Sequence, residues 1–288
     1  MKKINFLVAA FLLLFASCQK NGGVATVRLH VNNFNVSQEE FPSKSASDVA
    51  DYSGVKAITL VFYTADGTEQ YKVTQMRADA TTYTAFGEFD LSLPMGSYTM
   101  VVLGYGLNPG EPAITLTSST SASFGEYPAR ETFVATQTVS ITNTDDVELS
   151  ATLNRVVAKL KVLSTDGRTD NAHSVCLTTS GGSKAFNPST GLAITNTGFS
   201  NTIDITGTAV GNVAAPVSYV FLATDEQTVN VTIDVLDENG TTISHKVVNG
   251  VPLQRNRTTK LVGSIFTASG DGSFQVETEW LPETEVNF

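Results

Sequence analysis

Few residues in this 288-residue chain have types and spacings that could do chemistry. Glu88 and Asp90 lie two apart in GEFDLSL, so on a strand their carboxylates share one face. Such a pair could serve glycoside hydrolysis. With 28 acidic against 18 basic residues, it reads more simply as part of a solvated face. The three histidines, His30, His173 and His245, have unrelated neighbourhoods and no metal-ligand spacing. Acids gather near turns at Asp145-Asp146-Val147-Glu148 and Asp237-Glu238-Asn239, but neither fits a full calcium loop. There is no G-x-S-x-G elbow, P-loop or H-E-x-x-H. The expectation is a protein that is not an enzyme, with no metal and no cofactor. Two thiols remain, Cys18 and Cys176. Cys176 lies between Val175 and Leu177 and reads as a small buried hydrophobe.

Cys18 stands in a different setting. Met1-Lys2-Lys3 is a short basic start, and residues 4–15, INFLVAAFLLLF, are almost wholly apolar. Ala16-Ser17 are small, and Cys18 follows directly. Basic, apolar and small regions in that order make a secretory signal peptide over residues 1–17. The run is too short to span a bilayer, which takes about 20 residues. The junction Phe15-Ala16-Ser17-Cys18 resembles the lipobox of bacterial lipoproteins, with Phe15 in place of the usual Leu. That resemblance implies a thiol that is acylated, palmitate among its chains, and becomes the new N-terminus. Two or more chains hold a protein stably on a membrane. Asn21-Gly22-Gly23 then reads as a spacer.

The elements that would follow such an anchor are strands. Val147, Leu149, Ala151 and Leu153 alternate with polar residues, as do Val229, Val231, Ile233 and Val235. Phe274, Val276 and Trp280 form a third such series, so the lone tryptophan reads as core rather than as a sugar-stacking platform. Turn signals include Asp66-Gly67, Asp166-Gly167 and Asn239-Gly240, the last predicting a hairpin between 228–237 and 241–248. Residues 37–54 read as a long polar loop, and 106–131 as a loop-rich insertion. Many short strands between turns predict an all-β chain of sandwiches. The length suggests two domains, 18–150 and 151–288. The net charge of −10, deeper still once Lys2 and Lys3 are removed, disfavours nucleic acid.

Three stretches together carry a family resemblance. They are ATLNRVVAKLKVLS at 151–164, VPLQRNRTTKLVGSIF at 251–266, and DLSLPMGSYTMVVLGYG at 90–106 following ITLVFYTADG at 58–67. The pattern L-x-R-x-x-A-K, then R-N-x-x-T-x-L-x-G, resembles fimbrillins of the Bacteroidales type, the pilus subunits and fimbrial anchor lipoproteins. The resemblance implies two transthyretin-like β-sandwich domains in series and an outer-membrane, surface-exposed fimbrium. It implies partners that are other fimbrial subunits, joined by strand addition, and a surface ligand on host or bacterium. In the family, stalk subunits are cut at an Arg after the first strand, and a neighbour's strand fills the groove. Here that strand would be residues 24–31, and the loop after it holds Lys44 but no Arg. This favours an anchor or accessory subunit, or a lineage with a different protease. Arg155 reads as structural. The rival expectation is a carbohydrate-binding surface lipoprotein.

Overall fold

The computed structural model describes residues 23–35, 47–49, 51–267 and 274–279. Cys18, residues 1–17 that read as a signal peptide, and Trp280 lie outside them. The first half forms β1 (Val24–Asn35), β2 (Ser47–Asp48), β3 (Ala57–Thr64), β4 (Glu69–Met76), β5 (Glu88–Pro94), β6 (Gly96–Tyr105), β7 (Thr115–Ser118), β8 (Ser121–Ser123), β9 (Thr132–Ile141) and β10 (Val147–Arg155). The second half forms β11 (Ala158–Ser164), β12 (Ser174–Thr179), β13 (Ala185–Asn187), β14 (Leu192–Ala193), β15 (Phe199–Asp204), β16 (Val217–Val220), β17 (Glu226–Leu236), β18 (Thr242–Gln254), β19 (Thr258–Gly263) and β20 (Gln275–Glu279). The fold is all-β, with two β-sandwiches in series.

The first sheet runs β2-β1-β10-β9-β6-β3-β4, with β5 also on β1. Only two rungs, Asn154↔Val134 and Arg155↔Phe133, join β10 to β9. The sheet folds over at that narrow junction. Val27 and Leu29 of β1 and Leu91 of β5 thereby share a core with Leu60 and Phe62 of β3 and Met100 of β6. The second sandwich stacks β16-β11-β19-β20 on β15-β12-β17-β18 around Leu160, Val162, Val231 and Ile233. The position 150, chosen from sequence, falls inside β10, whose Ala151 and Leu153 pack in the first core. β11 opens the second.

Strand β3 explains how the halves are joined. Seven of its eight residues are buried. A continuous apolar run of this kind needs cover on both faces. Ile58, Leu60 and Phe62 enter the first core, while Ala57, Val61 and Tyr63 point into a third. That third core is covered by residues 106–131, which are more than loop. Their β7 and β8 pair with β13 and β14 of the second half in one four-stranded sheet. The cross-domain rungs are Ala185↔Ser123 and Phe186↔Ala122. Phe186 stacks on Phe221 at 4.2 Å between centroids, and Phe124 lies 6.3 Å from the same ring.

The hairpin at Asn239-Gly240 is present, joining β17 to β18. Its loop has three residues, 238–240, closed by Asp237 N donating to Thr241 O. Gly240 takes φ 78°, the left-handed position such a loop requires. Two expected core residues are placed otherwise. Cys176 is half-exposed, because Val175 and Leu177 on either side take the buried face of β12. Val276 is exposed on the edge strand β20, while Phe274 packs against the second core.

Candidate functional site

The site that stands out is the slot holding β1. This strand is central in its half of the sandwich, pairing antiparallel with β5 from Val24↔Pro94 to His30↔Glu88. On its other edge it pairs parallel with β10, from Val27↔Val147 to Asn35↔Asn154. Ala25, Val27, Leu29 and Val31 all point inward. A register shift between Val31 and Asn33 then turns Phe34 inward as well. The alternation is therefore regular up to that irregularity, with Thr26 on the opposite face. Gly104 of β6 makes room for Phe34, since a Cβ there would come within 2.7 Å of the ring.

The outer face carries a charge pattern. Arg28 lies 2.9 Å from Glu148, 3.1 Å from Asp146 and 3.4 Å from Asp90. Hydrogen bonds to Glu148 and then Asp146 raise its guanidinium pKa further. His30 pairs with Glu88 in the same way. The carboxylates of Glu88 and Asp90 thus pair with His30 and Arg28 of β1. They lie on the exposed outer face of β5, opposite Arg28 and His30 in the ladder. Asp237 likewise accepts amides of its own turn, from Asn239 and Thr241. His245 pairs with Asp234 across the β17–β18 ladder at 2.6 Å. Among the described residues no group of three His, Cys, Asp or Glu side chains could hold a metal ion. No described helix is long and apolar enough to cross a membrane.

The inner end of β1 leads to the domain junction. Phe34, Tyr52 and Phe133 form an aromatic trio with centroids 5.0–5.8 Å apart. Tyr52 Oη donates to Glu131 at 2.7 Å and accepts from Arg155 at 3.1 Å. Burial, then the charge of Glu131, raises the Tyr52 phenol well above its usual range, so it stays protonated. Arg155, 4 % exposed, pairs with Glu131 at 2.8 Å and donates to Asn256 at 3.1 Å. Asn256 sits at φ 59°, a conformation asparagine tolerates better than most residues. The two sequence motifs therefore meet: Arg155 of the first contacts Asn256 of the second. Arg155 is a structural residue, as its sequence context suggests. Its partners Tyr52 and Glu131 come from unrelated stretches, and no local signal marks them.

A family model described as a family of unknown function, DUF6562, matches residues 19–287. The chain belongs to the DUF6562 family. Among curated proteins nothing matches this DUF6562 chain. Solved structures do. A candidate adhesin from Bacteroides ovatus is 11% identical and has a TM-score of 0.53, with 91% of this chain and 97% of that one covered. A second Bacteroides ovatus candidate adhesin is 13% identical over 80% and 83% of the two chains, with a TM-score of 0.51. The fimbrial anchor protein Mfa2 from Porphyromonas gingivalis is 14% identical over 88% and 97%, with a TM-score of 0.45. At these identities the likeness of the DUF6562 chain to them is one of fold. Its structural neighbours are Bacteroidales fimbrial proteins and adhesins, the group its sequence resembles.

Proposed function

We propose that this chain is a fimbrial subunit of the anchor or accessory kind, acting in pilus assembly and adhesion at the cell surface through exchange of its first strand. Cys18 would carry the lipid that holds it to the outer membrane. Its partners would be other fimbrial subunits, and the reading involves no catalysis. The observation that carries it is the seat of β1. A first strand that is also a central strand is paired along both edges, so its departure opens a slot with two unpaired backbone rows. The slot is deep. Burying Val27, Leu29, Val31 and Phe34 is worth about 1.5–3 kcal/mol each, comparable in sum to the whole stability of a small domain. An empty slot would not persist, and a strand of like pattern would fill it.

The test compares the chain from Gly22 with one beginning at Ser47, which keeps Val49, Tyr52 and Val55 in or against the first core. The shorter chain should self-associate or unfold readily. It should recover monomeric, cooperative behaviour on adding a peptide of residues 24–35. If it is monomeric and equally stable without the peptide, strand exchange is excluded. The anchor is tested separately: Cys18→Ala should move the protein out of the membrane fraction. Persistence there after a high-salt wash would rule out lipid attachment at Cys18.

A further inference from the structure

A crevice of about 370 Å³ opens at the domain junction, beside the Asn35 end of β1, whose β10 partner Asn154 lines it. Its lining comes from both halves: the ends of β9 and β10, the turn between β13 and β14, and Arg255-Asn256 after β18. Its chemistry runs against the rest of the molecule. The chain carries a net charge of −10, yet the crevice is lined by two arginines and no acid. Arg155 forms part of the wall and is committed to Glu131 and Asn256. Arg255 is held differently. It donates to Thr190 O at 2.9 Å and pairs with Asp225 at 2.7 Å, and Asp225 is 69% exposed. An ion pair so open to water contributes little, and another carboxylate can compete for the same planar guanidinium. Asn154 and Asn256 accept through their amide oxygens, and neither NH2 has a protein partner among the described residues. Ser189 and Thr190 are exposed, and their hydroxyls donate to Ser119 O at 3.2 Å and Asn187 O at 3.5 Å. Val134, Val156 and Pro188 lie beneath, and Val134 and Val156 belong to the third core.

We infer that this crevice is a binding subsite for an acidic sugar, a pyranose bearing a single carboxylate. Such a ring has one anionic group and a hydroxylated edge. Those features match the Arg255 guanidinium and the amide groups of Asn154 and Asn256 on the rim. The volume lies within the range of small-ligand sites. A single charge suits the one guanidinium whose ion pair is exposed, and the chain's net charge of −10 disfavours a polyanion. Gly191 is what lets the arginine sit there: its φ is +72°, and a Cβ would come within 2.9 Å of Arg255 Nη1. The inference does not depend on strand exchange.

The probe is glucuronate, titrated into the full chain while the Arg255 Nε–H signal is followed by NMR. Glucose, with the same ring and no carboxylate, is the control. Glucuronate should saturate the signal and glucose should not. Arg255→Gln should weaken binding about tenfold or more, the scale of a lost charge-assisted hydrogen bond. Asp225→Asn should tighten it by about threefold, because it removes a competing carboxylate from a weak exposed pair. That sign separates a ligand role for Arg255 from a merely structural one, which predicts weakening in both variants. No saturation by glucuronate, equal binding of glucose, or weaker binding by Asp225→Asn would each overturn the assignment. Should Arg255→Gln fail to fold, the other two arms still decide.

Discussion

The two sandwiches share one plan and differ in how they hold their first strand. In each, the first strand lies inside a sheet and runs parallel to a late strand, β1 beside β10 and β11 beside β19. Strand β11 is fastened at both ends. Arg155 is buried just before it, and Asp166 just after it accepts from Ser264 Oγ and the amides of Ile265, Phe266 and Thr267. At the end of β1, Phe34 packs on Tyr52 and Phe133, but the Asn35–Asn154 hydrogen bond and the strand's charged contacts are exposed. Two strands of similar burial therefore differ in what it takes to remove them. Ladder and core set how tightly a strand is held, and its end contacts set whether it can leave alone.

Five substitutions probe that contrast. Arg155→Ala should have the largest effect, because it strands buried Glu131 without its cation. Breaking a buried pair in this way costs about 3–5 kcal/mol. By unfastening the entry to β11, it should also raise amide exchange along that strand toward the rate of β1. Unchanged protection of β11 would show that the end contact does not do this work.

Next come matched core truncations, Leu29→Ala in β1 and Leu160→Ala in β11. Each should cost about 2–5 kcal/mol by denaturant unfolding. Only Leu29→Ala should also speed capture of a labelled peptide of residues 24–35. Equal capture by both variants would erase the distinction between the strands.

Asp166→Asn should act mainly through pH. Burial works against the Asp166 charge, and the hydrogen bonds from Ser264 and three amides outweigh it, so its pKa is lowered. A carboxylate with a depressed folded pKa contributes stability that is present above its unfolded value. That stability is lost as pH falls through the folded one. The parent should therefore lose urea resistance below about pH 4 more steeply than the variant. Parallel acid limbs would place the latch elsewhere.

Arg28→Ala should have the smallest effect on stability. Its partners are exposed, so the unfolding midpoint should hardly move. A large drop would mean that the outer charges of β1 fasten it after all.

The sequence shows these elements unevenly. Periodicity marks β10 and β17 because their apolar residues alternate without a break. It blurs β1, where the small Ala25 weakens the signal and the shift after Val31 changes phase. The placement of Cys176 was available from Val175 and Leu177, which claim the inner face. Strands β7 and β8 are too short to show a period, and β13, the cross-domain partner of β8, lies about sixty residues away in sequence. Tyr52 and Glu131 reach Arg155 only through tertiary packing, so nothing in their own stretches announces them. The crevice at Arg255 was hidden for the same reason, its walls coming from four separate segments.

The sheet shared between the halves also sets a timetable for a chain that emerges from its N-terminus. When the first 155 residues are out, β3 and β6 can close around the first core, but their other face has Val61, Leu103 and Tyr105 waiting for cover. Phe186 and Phe221 complete that cover, and they arrive later. Until then the nascent protein carries a sticky apolar flank with an unpaired edge at β8. Such intermediates are prone to aggregate. Residues 106–131 lie over part of that flank in the finished fold. A chaperone that holds the emerging chain would be needed most between the synthesis of β10 and that of β16, and hardly at all before or after.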